Sequence, residues 1–520
     1  MATADTKAEI ELKLAVPAAA FARLLKSPDV AALAVGSVRR KKFVTTYFDT
    51  PDLRLREAGM ALRVRRDGRR RIQTLKTAQH PTLGPLARGE WERAIVGDTP
   101  VIDPEWLALI DDKDARKLLS KEKLRRQLTA VFTTDFARRT LDIRFGTSAI
   151  ELAFDSGTID ASGSRLPISE IELELKSGAP GDLYKVARLV MGLVPAQIEA
   201  RTKAERGYDA ASGAARTAAR ADEASLGDAP SVADAFRQIG RQCLRHMRAN
   251  ETLVRAAPGI EGVHQLRVAL RRLRSALSAF GDVLPEDERR AAADQLRWIA
   301  GACGAARDWD VFGDELLKPL ADHLADEPGL KRVVEAAHAA RARAYAEMAA
   351  SLASERLAIA LIDVEAWWEG NGWESAMGAW RDLPARDFAG ATLKKLHRKV
   401  MRLGEQIDDL EDVELHELRI RGKKLRYAAE FFRSLFPRKA VKPYLAALAD
   451  IQSHLGALND SVVAKDLLAE LARGSHGLSQ ALLARADGIV TGWIAARVRR
   501  DLDELPPVWT RFAATKPFWK

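Results

Sequence analysis

HQLRVALRRLR, His264–Arg274, decides the fold of the second half of the chain because it occurs twice. The second copy is HELRIRGKKLR, His416–Arg426, and both copies fit His-x-Leu-Arg-x-x-x-(+)-(+)-Leu-Arg, where (+) is Arg or Lys. The offset of 152 residues continues without a gap to GAARDWDV at Gly304 and GALNDSVV at Gly456. A single offset kept over this distance predicts a duplicated helical region with approximate two-fold internal symmetry, in which each copy buries its own apolar faces.

The repeated stretch places a line of cations on one side of a helix. At about 100° per residue, three basic residues of each copy fall within one arc beside the histidine, and the leucines occupy the neighbouring arc, which we expect to face the core. These residues, called the basic stripe below, are His264, Arg267, Arg271 and Arg274 in the first copy and His416, Arg419, Lys423 and Arg426 in the second. Like charges at these spacings repel one another unless something neutralises them. One interpretation is a solvated face with ion pairs to a neighbouring helix. The shared register favours the other, a surface for phosphate chains, whose oxygens match guanidinium groups.

This half of the chain resembles the CHAD domain, a helical domain named for its histidines. The resemblance covers residues 231–505 and depends on the two copies of the motif together with RDWDV and LNDSVV. It implies two four-helix bundles around a basic surface that binds long-chain inorganic polyphosphate, with the eight residues of the basic stripe as binding candidates. Arg272 and Lys424 are weaker candidates because the helical wheel directs them elsewhere. Gly422 is a poor helix former that costs about 1 kcal/mol of helix propensity, and we expect it to loosen the second copy.

The first half of the chain alternates between charged and apolar residues, as β-strands do. EIELKL, ALRVRR, IQTLK, GEWERAIV, LDIRF, AIELAF and EIELEL all have this period of two, and turn sequences such as RDGRR and DSGT separate them. Short alternating segments at this spacing predict an antiparallel sheet or barrel. We therefore expect a multidomain chain, β and then α, with a first domain at residues 1–208, an Ala- and Ser-rich linker at 209–230 and a helical domain at 231–510.

The alternation places carboxylates and cations on the same face of the expected sheet. Glu9, Glu11 and Lys13 share one side of the first strand, EIELEL contributes three further carboxylates to one side, and Arg63 and Arg65 lie together on another strand. Paired carboxylates hold hard divalent cations, and Arg and Lys side chains hold phosphate oxygens. Buried charges are costly unless paired, so a sheet that curls around them would form a hydrophilic tunnel suited to a metal-dependent phosphoanhydride reaction. The alternative is an exposed face held by salt bridges, and the number of charged strands favours the tunnel.

Residues 6–208 resemble the CYTH domain of the triphosphate tunnel metalloenzymes. The resemblance depends on the motif ExExK, which stands here as Glu9, Glu11 and Lys13, and on the spacing of the later charged strands. It implies an eight-stranded antiparallel β tunnel with helices, which binds tripolyphosphate and holds two ions of Mg²⁺ or Mn²⁺. The implied metal ligands are Glu9, Glu11, Glu92, Asp155, Glu172 and Glu174, and the implied triphosphate-binding residues are Arg63, Arg65, Lys76, Arg138 and Lys203. Glu9, Glu11 and Lys13 are the implied catalytic residues, with Lys13 positioning or polarising the attacking water. Arg139 is the alternative to Arg138, which the alternation favours.

The overall composition limits the setting in which the protein works. The 520 residues carry a formal net charge of +10, which favours a polyanionic partner. The two cysteines, Cys243 and Cys303, offer neither a disulfide framework nor a metal-ligand spacing, so we expect a reducing, cytoplasmic compartment. The first residues lack the apolar core of a signal peptide, and no window approaches the roughly eighteen consecutive apolar residues of a transmembrane helix, so we expect no membrane association.

A CYTH domain joined to a CHAD domain resembles the bacterial inorganic triphosphatases. We therefore expect metal-dependent hydrolysis of tripolyphosphate to pyrophosphate and phosphate, with the helical domain tethering the enzyme to long-chain polyphosphate and so to polyphosphate granules. Thiamine triphosphatase and class IV adenylyl cyclase activities are the alternative enzymatic hypotheses, and a mainly noncatalytic polyphosphate-binding protein is the alternative from another class. Nucleic acid is a poor candidate partner because the motif helices contain few aromatic residues to stack on bases.

Overall fold

The structure, a computed structural model, describes residues 10–77, 89–214, 216–223, 225–227, 229–370, 372–474 and 480–519. The chain separates into two compact units. The first unit consists of Met1–Thr217 and Leu361–Gly370, and the second of Ala218–Ala360 and Asn371–Lys520. Among the described residues, no helix combines the length and the apolarity needed to cross a membrane.

The first unit is built on one antiparallel sheet. Its strands are β1 (Ile10–Ala15), β2 (Ala34–Asp49), β3 (Met60–Asp67), β4 (Arg70–Thr77), β5 (Glu90–Ile95), β6 (Thr129–Phe145), β7 (Ser148–Ala161), β8 (Ser164–Ser177) and β9 (Gln197–Ile198). They lie in the order β5-β4-β3-β2-β6-β7-β8-β1-β9, and every ladder is antiparallel. The prediction of an antiparallel sheet is confirmed.

Two details of the expected tunnel are wrong. The described sheet has nine strands rather than eight, because the two-residue strand β9 pairs with the outer side of β1 through Leu14 and Ile198. A strand of two residues has no periodicity that a sequence pattern can reveal. The sheet is also open in the described part of the chain, where β5 and β9 are its two ends and no ladder joins them.

Register places the charged residues of neighbouring strands on one face of this sheet. Cross-strand partners share a face, and the pairs run from Lys13 opposite Glu172 to Glu170 opposite Asp155 and Asp155 opposite Arg138. The opposite face is apolar: Leu14, Ile171 and Leu173 are fully buried there.

Short helices surround the sheet, and one longer helix covers part of its apolar face. They are α1 (Ala20–Leu25), α2 (Pro28–Leu33), α3 (Arg54–Glu57), α4 (Pro104–Leu109), α5 (Lys113–Leu119), α6 (Glu122–Arg126), α7 (Pro180–Leu193) and α8 (Lys203–Ser212). Helix α7 packs on β1 and β8 and buries Val186 and Val190. Each buried aliphatic side chain of this kind contributes about 1.5–3 kcal/mol of transfer free energy, so the apolar face anchors the strands that carry the charges on the other side.

The second unit is mainly helical in its described residues, as predicted. Its helices are α9 (Val232–Ala256), α10 (Ile260–Ala279), α11 (Glu286–Ala302), α12 (Gly304–Asp310), α13 (Lys318–His323), α14 (Pro328–Ala353), α15 (Glu355–Glu369), α16 (Gly372–Ala376), α17 (Ala385–Gly404), α18 (Asp412–Phe432), α19 (Arg438–Gly474) and α20 (Gln480–Ala513). A π-helical segment, Val311–Leu317, joins α12 to α13, and residues of α15 from Leu361 onward belong to the first unit.

The helices of the second unit repeat at the offset found in the sequence. Helix α10 begins at Ile260 and α18 at Asp412, and α11 begins at Glu286 and α19 at Arg438. Helix α10 packs against α18, and the equivalent rings of Phe280 and Phe432 meet with their centroids 5.7 Å apart. The long helix α19 corresponds to the broken run from α11 to α13. The grouping into two four-helix bundles stays a prediction.

Candidate functional site

Three carboxylates converge on one ammonium group in the first unit. Asp155 of β7 and Glu170 and Glu172 of β8, called the carboxylate cluster below, lie around Lys203, the first residue of α8. The Nζ atom of Lys203 lies 2.6 Å from Oδ2 of Asp155 and 2.9 Å from Oε1 of Glu172, and it also contacts Glu170. Thr202 caps α8 by accepting a hydrogen bond from the backbone N–H of Glu205, which fixes the start of the helix and hence the direction of Lys203.

Two arginines complete the neutralisation of the carboxylate cluster. Arg138 of β6 donates from Nε and Nη2 to the two oxygens of Asp155, at 2.7 and 2.6 Å, and also contacts Glu172. Arg206, three residues after Lys203 on α8, places Nη1 2.8 Å from Oε2 of Glu170. Each carboxylate therefore has at least one arginine partner in addition to Lys203. Such pairing is required, because Asp155 is completely buried and Glu170 is 1% exposed.

The charges of the cluster hold each other in their ionised forms. Burial alone would raise the pKa of Glu172, but Lys203, Arg138 and Lys13 outweigh that effect and hold the pKa of this carboxyl well below its usual range. Burial alone would lower the pKa of Lys203, but the three carboxylates reverse the effect and raise the pKa above that of an ordinary lysine. Both groups are consequently charged at neutral pH.

The other predicted triphosphate-binding residues lie on β3 and β4, where they contact carboxylates of β5. Arg63 and Lys76 pair with Glu90 at 3.5 and 2.9 Å, and Arg65 pairs with Glu92 at 3.2 Å. Glu92 also accepts a hydrogen bond of 2.8 Å from Thr74. Burial and the neighbouring charge of Arg63 lower the pKa of Arg65, which is the signature of cations held close together without full compensation. Glu92, a predicted metal ligand, is thus engaged with Arg65.

The motif at the start of β1 is only partly described. Glu9 lies outside the described residues. Lys13 contacts Glu11 and is 10% exposed, and its strand position is opposite Glu172, so it lies beside the carboxylate cluster. Glu11 is opposite Glu174, which pairs with Lys176 at 2.7 Å. The structure therefore brings Asp155 and Glu172 together, while Glu11 contacts Lys13 beside the cluster and Glu174 pairs with Lys176.

The chemistry of the carboxylate cluster suits a hard divalent cation. One oxygen from each of its three residues lies within 4.8 Å of the others, and grouped carboxylate oxygens are the ligands preferred by Mg²⁺ and Mn²⁺. The sequence-based set omitted Glu170, although the alternation of EIELEL puts it on the face of Glu172. It also omitted Arg206, which the three-residue spacing from Lys203 on a helix would have indicated.

The basic stripe occupies corresponding positions on α10 and α18. The leucines predicted to face the core, Leu266, Leu270, Leu273 and Leu277, are at most 1% exposed. Arg271 of the first copy and Lys423 and Arg426 of the second line one cavity of about 130 Å³ together with Tyr427, Gln452 and Ser453. Because cationic side chains of both copies line the cavity, the duplication brings the two basic stripes together around one space.

Cations of the stripe are incompletely neutralised. Burial, followed by the charges of Arg271 and Arg419, lowers the pKa of Lys423 to about 7. Arg271 donates from Nε to the hydroxyl of Tyr427 at 2.8 Å, and Arg426 pairs with Glu430 at 2.9 Å. The surroundings of Lys423 therefore lack compensating negative charge, which favours the binding of an anion.

The remaining members of the stripe lie on the same two helices, outside the residues that line the cavity. Burial lowers the pKa of Arg267, although the charge of Asp308 acts in the opposite direction. Burial likewise lowers the pKa of Arg419, where Asp460, the equivalent of Asp308 in the second copy, acts in the opposite direction. Arg419 also donates to Oδ1 of Asn459 at 2.9 Å. The pKa values of His264 and Arg274 are likewise lowered by burial and by neighbouring arginines, and His416 is exposed.

Two residues inside the repeated stretches have structural roles. Arg272 is buried and pairs with Glu430 at 3.0 Å, which links the two copies through the core. Helix α18 continues without a break through Gly422, which is buried. A Cβ atom at this position would lie 2.3 Å from Nε2 of Gln452, so glycine leaves room for the end of that side chain of α19.

Both halves of the chain match known protein families. The CYTH domain family matches residues 7–208, and the CHAD domain family matches residues 238–469. The inorganic triphosphatase of Haemophilus influenzae is 35% identical over 164 residues, which are 31% of this chain and 44% of that protein. An uncharacterised protein of Mycobacterium tuberculosis is 28% identical over 236 residues, which are 45% of this chain and 43% of that protein. The chain therefore spans less than half the length of each of these curated relatives.

A solved structure resembles the helical region. The crystal structure of the CHAD domain from the plant Ricinus communis has 31% sequence identity and a TM-score of 0.50, and the match covers 58% of this chain and 98% of that one. The matched share is compatible with the extent of the helical unit.

Proposed function

The chain belongs to the proteins that join a CYTH domain to a CHAD domain, and from this premise we propose that its first unit hydrolyses inorganic triphosphate in a metal-dependent reaction. The observation that carries the proposal is the shared sheet face, on which Arg63, Arg65, Lys76 and Arg138 accompany the carboxylate cluster. A surface of cations alone would attract any anion. Cations beside grouped carboxylates are what phosphoanhydride hydrolysis with a divalent ion requires. The inorganic triphosphatase among the relatives supports this substrate.

Asp155, Glu170 and Glu172 would hold the divalent cation. When bound, a divalent cation supplies positive charge against the phosphate oxygens. Lys203, whose ammonium contacts all three carboxylates, would hold a substrate oxygen beside them. Arg63, Arg65 and Lys76 bind the remaining phosphate oxygens, since guanidinium and ammonium groups form charge-assisted hydrogen bonds with them.

Lys13 and Glu11 act on the attacking water in this proposal, together with Glu9. The Lys13 ammonium holds the water oxygen, and the carboxylate in contact with it accepts the proton. The water oxygen forms a bond to a terminal phosphorus, the bridging P–O bond breaks, and pyrophosphate leaves with the electron pair. Arg138 stabilises the developing charge while Asp155 holds its guanidinium in place.

The second unit binds long-chain polyphosphate along the basic stripe in this proposal. The cavity lined by Arg271, Lys423 and Arg426 accepts one phosphate group. The other cations of the basic stripe bind neighbouring phosphate groups of the same polyphosphate molecule. Tethering at the second unit raises the local concentration of phosphate substrates, and it would associate the protein with polyphosphate granules.

The test is a substrate panel with the purified full chain. Tripolyphosphate, thiamine triphosphate, ATP and long-chain polyphosphate are each incubated with Mg²⁺ or Mn²⁺, and phosphate and cyclic AMP are measured. We expect phosphate release to be fastest from tripolyphosphate, and E172Q to lower it by at least about 100-fold because a ligand and its charge are lost. The matched control is E122Q, which removes an exposed carboxylate paired with Arg126 in the same unit. Unchanged turnover in E172Q would contradict the proposed site.

A further inference from the structure

A second set of metal-ligating side chains lies in the helical unit, outside the basic stripe. His454 lies on α19, and Asp501 and Glu504 lie three residues apart on α20. Nδ1 of His454 is 3.9 Å from Oδ1 of Asp501 and 3.8 Å from Oε2 of Glu504. These separations are too long for hydrogen bonds, yet one donor atom from each of the three residues lies within 4.8 Å of the others. Three ligand atoms thus converge without bonding to each other.

Asp501 supplies an independent sign that something is bound there. Its side chain is 10% exposed, and its Oδ2 atom is buried with no hydrogen-bond donor among the described residues. The described ion pairs give Asp501 no lysine or arginine partner, only His454. A buried, unpartnered carboxylate oxygen is costly, and buried charges of this kind are normally paired or bound to a metal.

We propose that His454, Asp501 and Glu504 bind a transition-metal cation of the Zn²⁺ class. An imidazole nitrogen with two carboxylate oxygens is a ligand set for Zn²⁺, whose tetrahedral bonds of about 2.0–2.1 Å put neighbouring ligand atoms about 3.4 Å apart. The observed distances of 3.8 and 3.9 Å need only a small closure of the side chains. Glu504 is 54% exposed, so the site opens to solvent, and the three protein ligands leave a fourth position for water or an exogenous ligand.

The site belongs to one copy of the repeat. The positions 152 residues earlier are Ala302, Ala349 and Leu352, which carry no ligand atoms. The proposed site is therefore no part of the duplicated arrangement that forms the basic stripe. A metal bound there links α19 to α20, which pack against each other in the second copy.

Metal binding to the full chain, purified without a histidine tag, tests the site. The metal-free protein is titrated with Zn²⁺ by calorimetry, and a parallel sample with Cu²⁺ is measured by electron paramagnetic resonance. The carboxylate cluster of the first unit offers only oxygen ligands among its three residues, so coupling of Cu²⁺ to an imidazole nitrogen distinguishes the two sites. We expect one Zn²⁺ in addition to any held by the first unit, and a nitrogen-coupled Cu²⁺ signal.

Three variants test which residues bind the metal. H454A is expected to lose one Zn²⁺ equivalent and the nitrogen coupling. H338A, which removes an exposed histidine from α14, is expected to keep both. D501N preserves the size of the side chain and is expected to weaken Zn²⁺ binding at least about tenfold, which keeps the test decisive if H454A folds poorly. Equal stoichiometry and equal nitrogen coupling in wild type, H454A and D501N would overturn the proposal, as would the absence of nitrogen coupling in the wild type.

Discussion

Replacing Lys203 with methionine tests the charge balance of the carboxylate cluster. The substitution keeps the length of the side chain and removes the ammonium that contacts Asp155, Glu170 and Glu172. Removing one partner of a buried ion pair costs about 3–5 kcal/mol. The lower end applies here, because Arg138 still pairs with Asp155 and Glu172, and Arg206 still pairs with Glu170. We expect K203M to lower the free energy of unfolding of the first unit by about 3 kcal/mol, or about 6–12 °C in Tm for a unit of this size.

Added Mg²⁺ separates this explanation from simple loss of packing. Because the ammonium no longer competes for the carboxylates, Mg²⁺ should bind K203M more tightly than wild type and raise its Tm by a larger amount. Differential scanning calorimetry with and without Mg²⁺ measures both effects, and hydrogen exchange in β7 and β8 locates them. K185M is the matched control, since Lys185 is 64% exposed and its ion pair with Asp182 is worth less than about 1 kcal/mol. Equal stability of K203M and K185M, or equal Mg²⁺ responses of K203M and wild type, would refute the reasoning.

Three further outcomes follow from single residues. Because the pKa of Lys423 is lowered to about 7 and binding requires its charged form, polyphosphate affinity should fall about tenfold more between pH 6 and pH 8 in wild type than in K423R, measured by calorimetry. G422A should change the free energy of unfolding of the second unit by less than about 1 kcal/mol in urea unfolding, because the added Cβ meets only the flexible end of the Gln452 side chain and alanine has the better helix propensity; a loss of more than about 3 kcal/mol would contradict this. Since the pKa of Glu172 is depressed, its contribution to stability is present above its unfolded pKa of about 4.3 and is lost as pH falls through the folded value. E172Q should therefore show a shallower loss of Tm between pH 5 and pH 2 than wild type.

Periodicity predicted which residues share a face, because it depends only on local geometry. Alternation in EIELEL placed Glu172 on the charged face and Leu173 in the core, where it is fully buried. The helical wheel placed Leu266 and Leu270 in the core and directed Arg272 away from the stripe. These conclusions need no knowledge of which elements become neighbours.

Partners that come from distant elements could not be predicted in this way. Lys203 reaches the carboxylate cluster because α8 starts beside β8, and no pattern within residues 203–212 specifies that placement. The pairing of Arg272 with Glu430 depends on the packing of α10 against α18. The contact between Gly422 and Gln452 could not be predicted either, since helix propensity describes an isolated helix and does not include side chains of other helices. Tertiary contacts decided the roles of all three residues.

Lys203 and Lys423 have opposite electrostatic surroundings, and this difference predicts how removal of metal ions affects ligand binding in each unit. Carboxylates outweigh burial and raise the pKa of Lys203, so its charge is already compensated. Burial and then neighbouring cations lower the pKa of Lys423, so its surroundings lack negative charge. Under the proposed function, triphosphate binding in the first unit requires a divalent cation on the carboxylate cluster, while the basic stripe needs none. We expect EDTA to abolish phosphate release from tripolyphosphate and to leave long-chain polyphosphate bound, as measured by filter binding, with K423M as the variant that loses binding. Loss of polyphosphate binding in EDTA would show that the basic stripe also depends on a metal, because chelation leaves the charges of Arg271 and Arg426 unchanged.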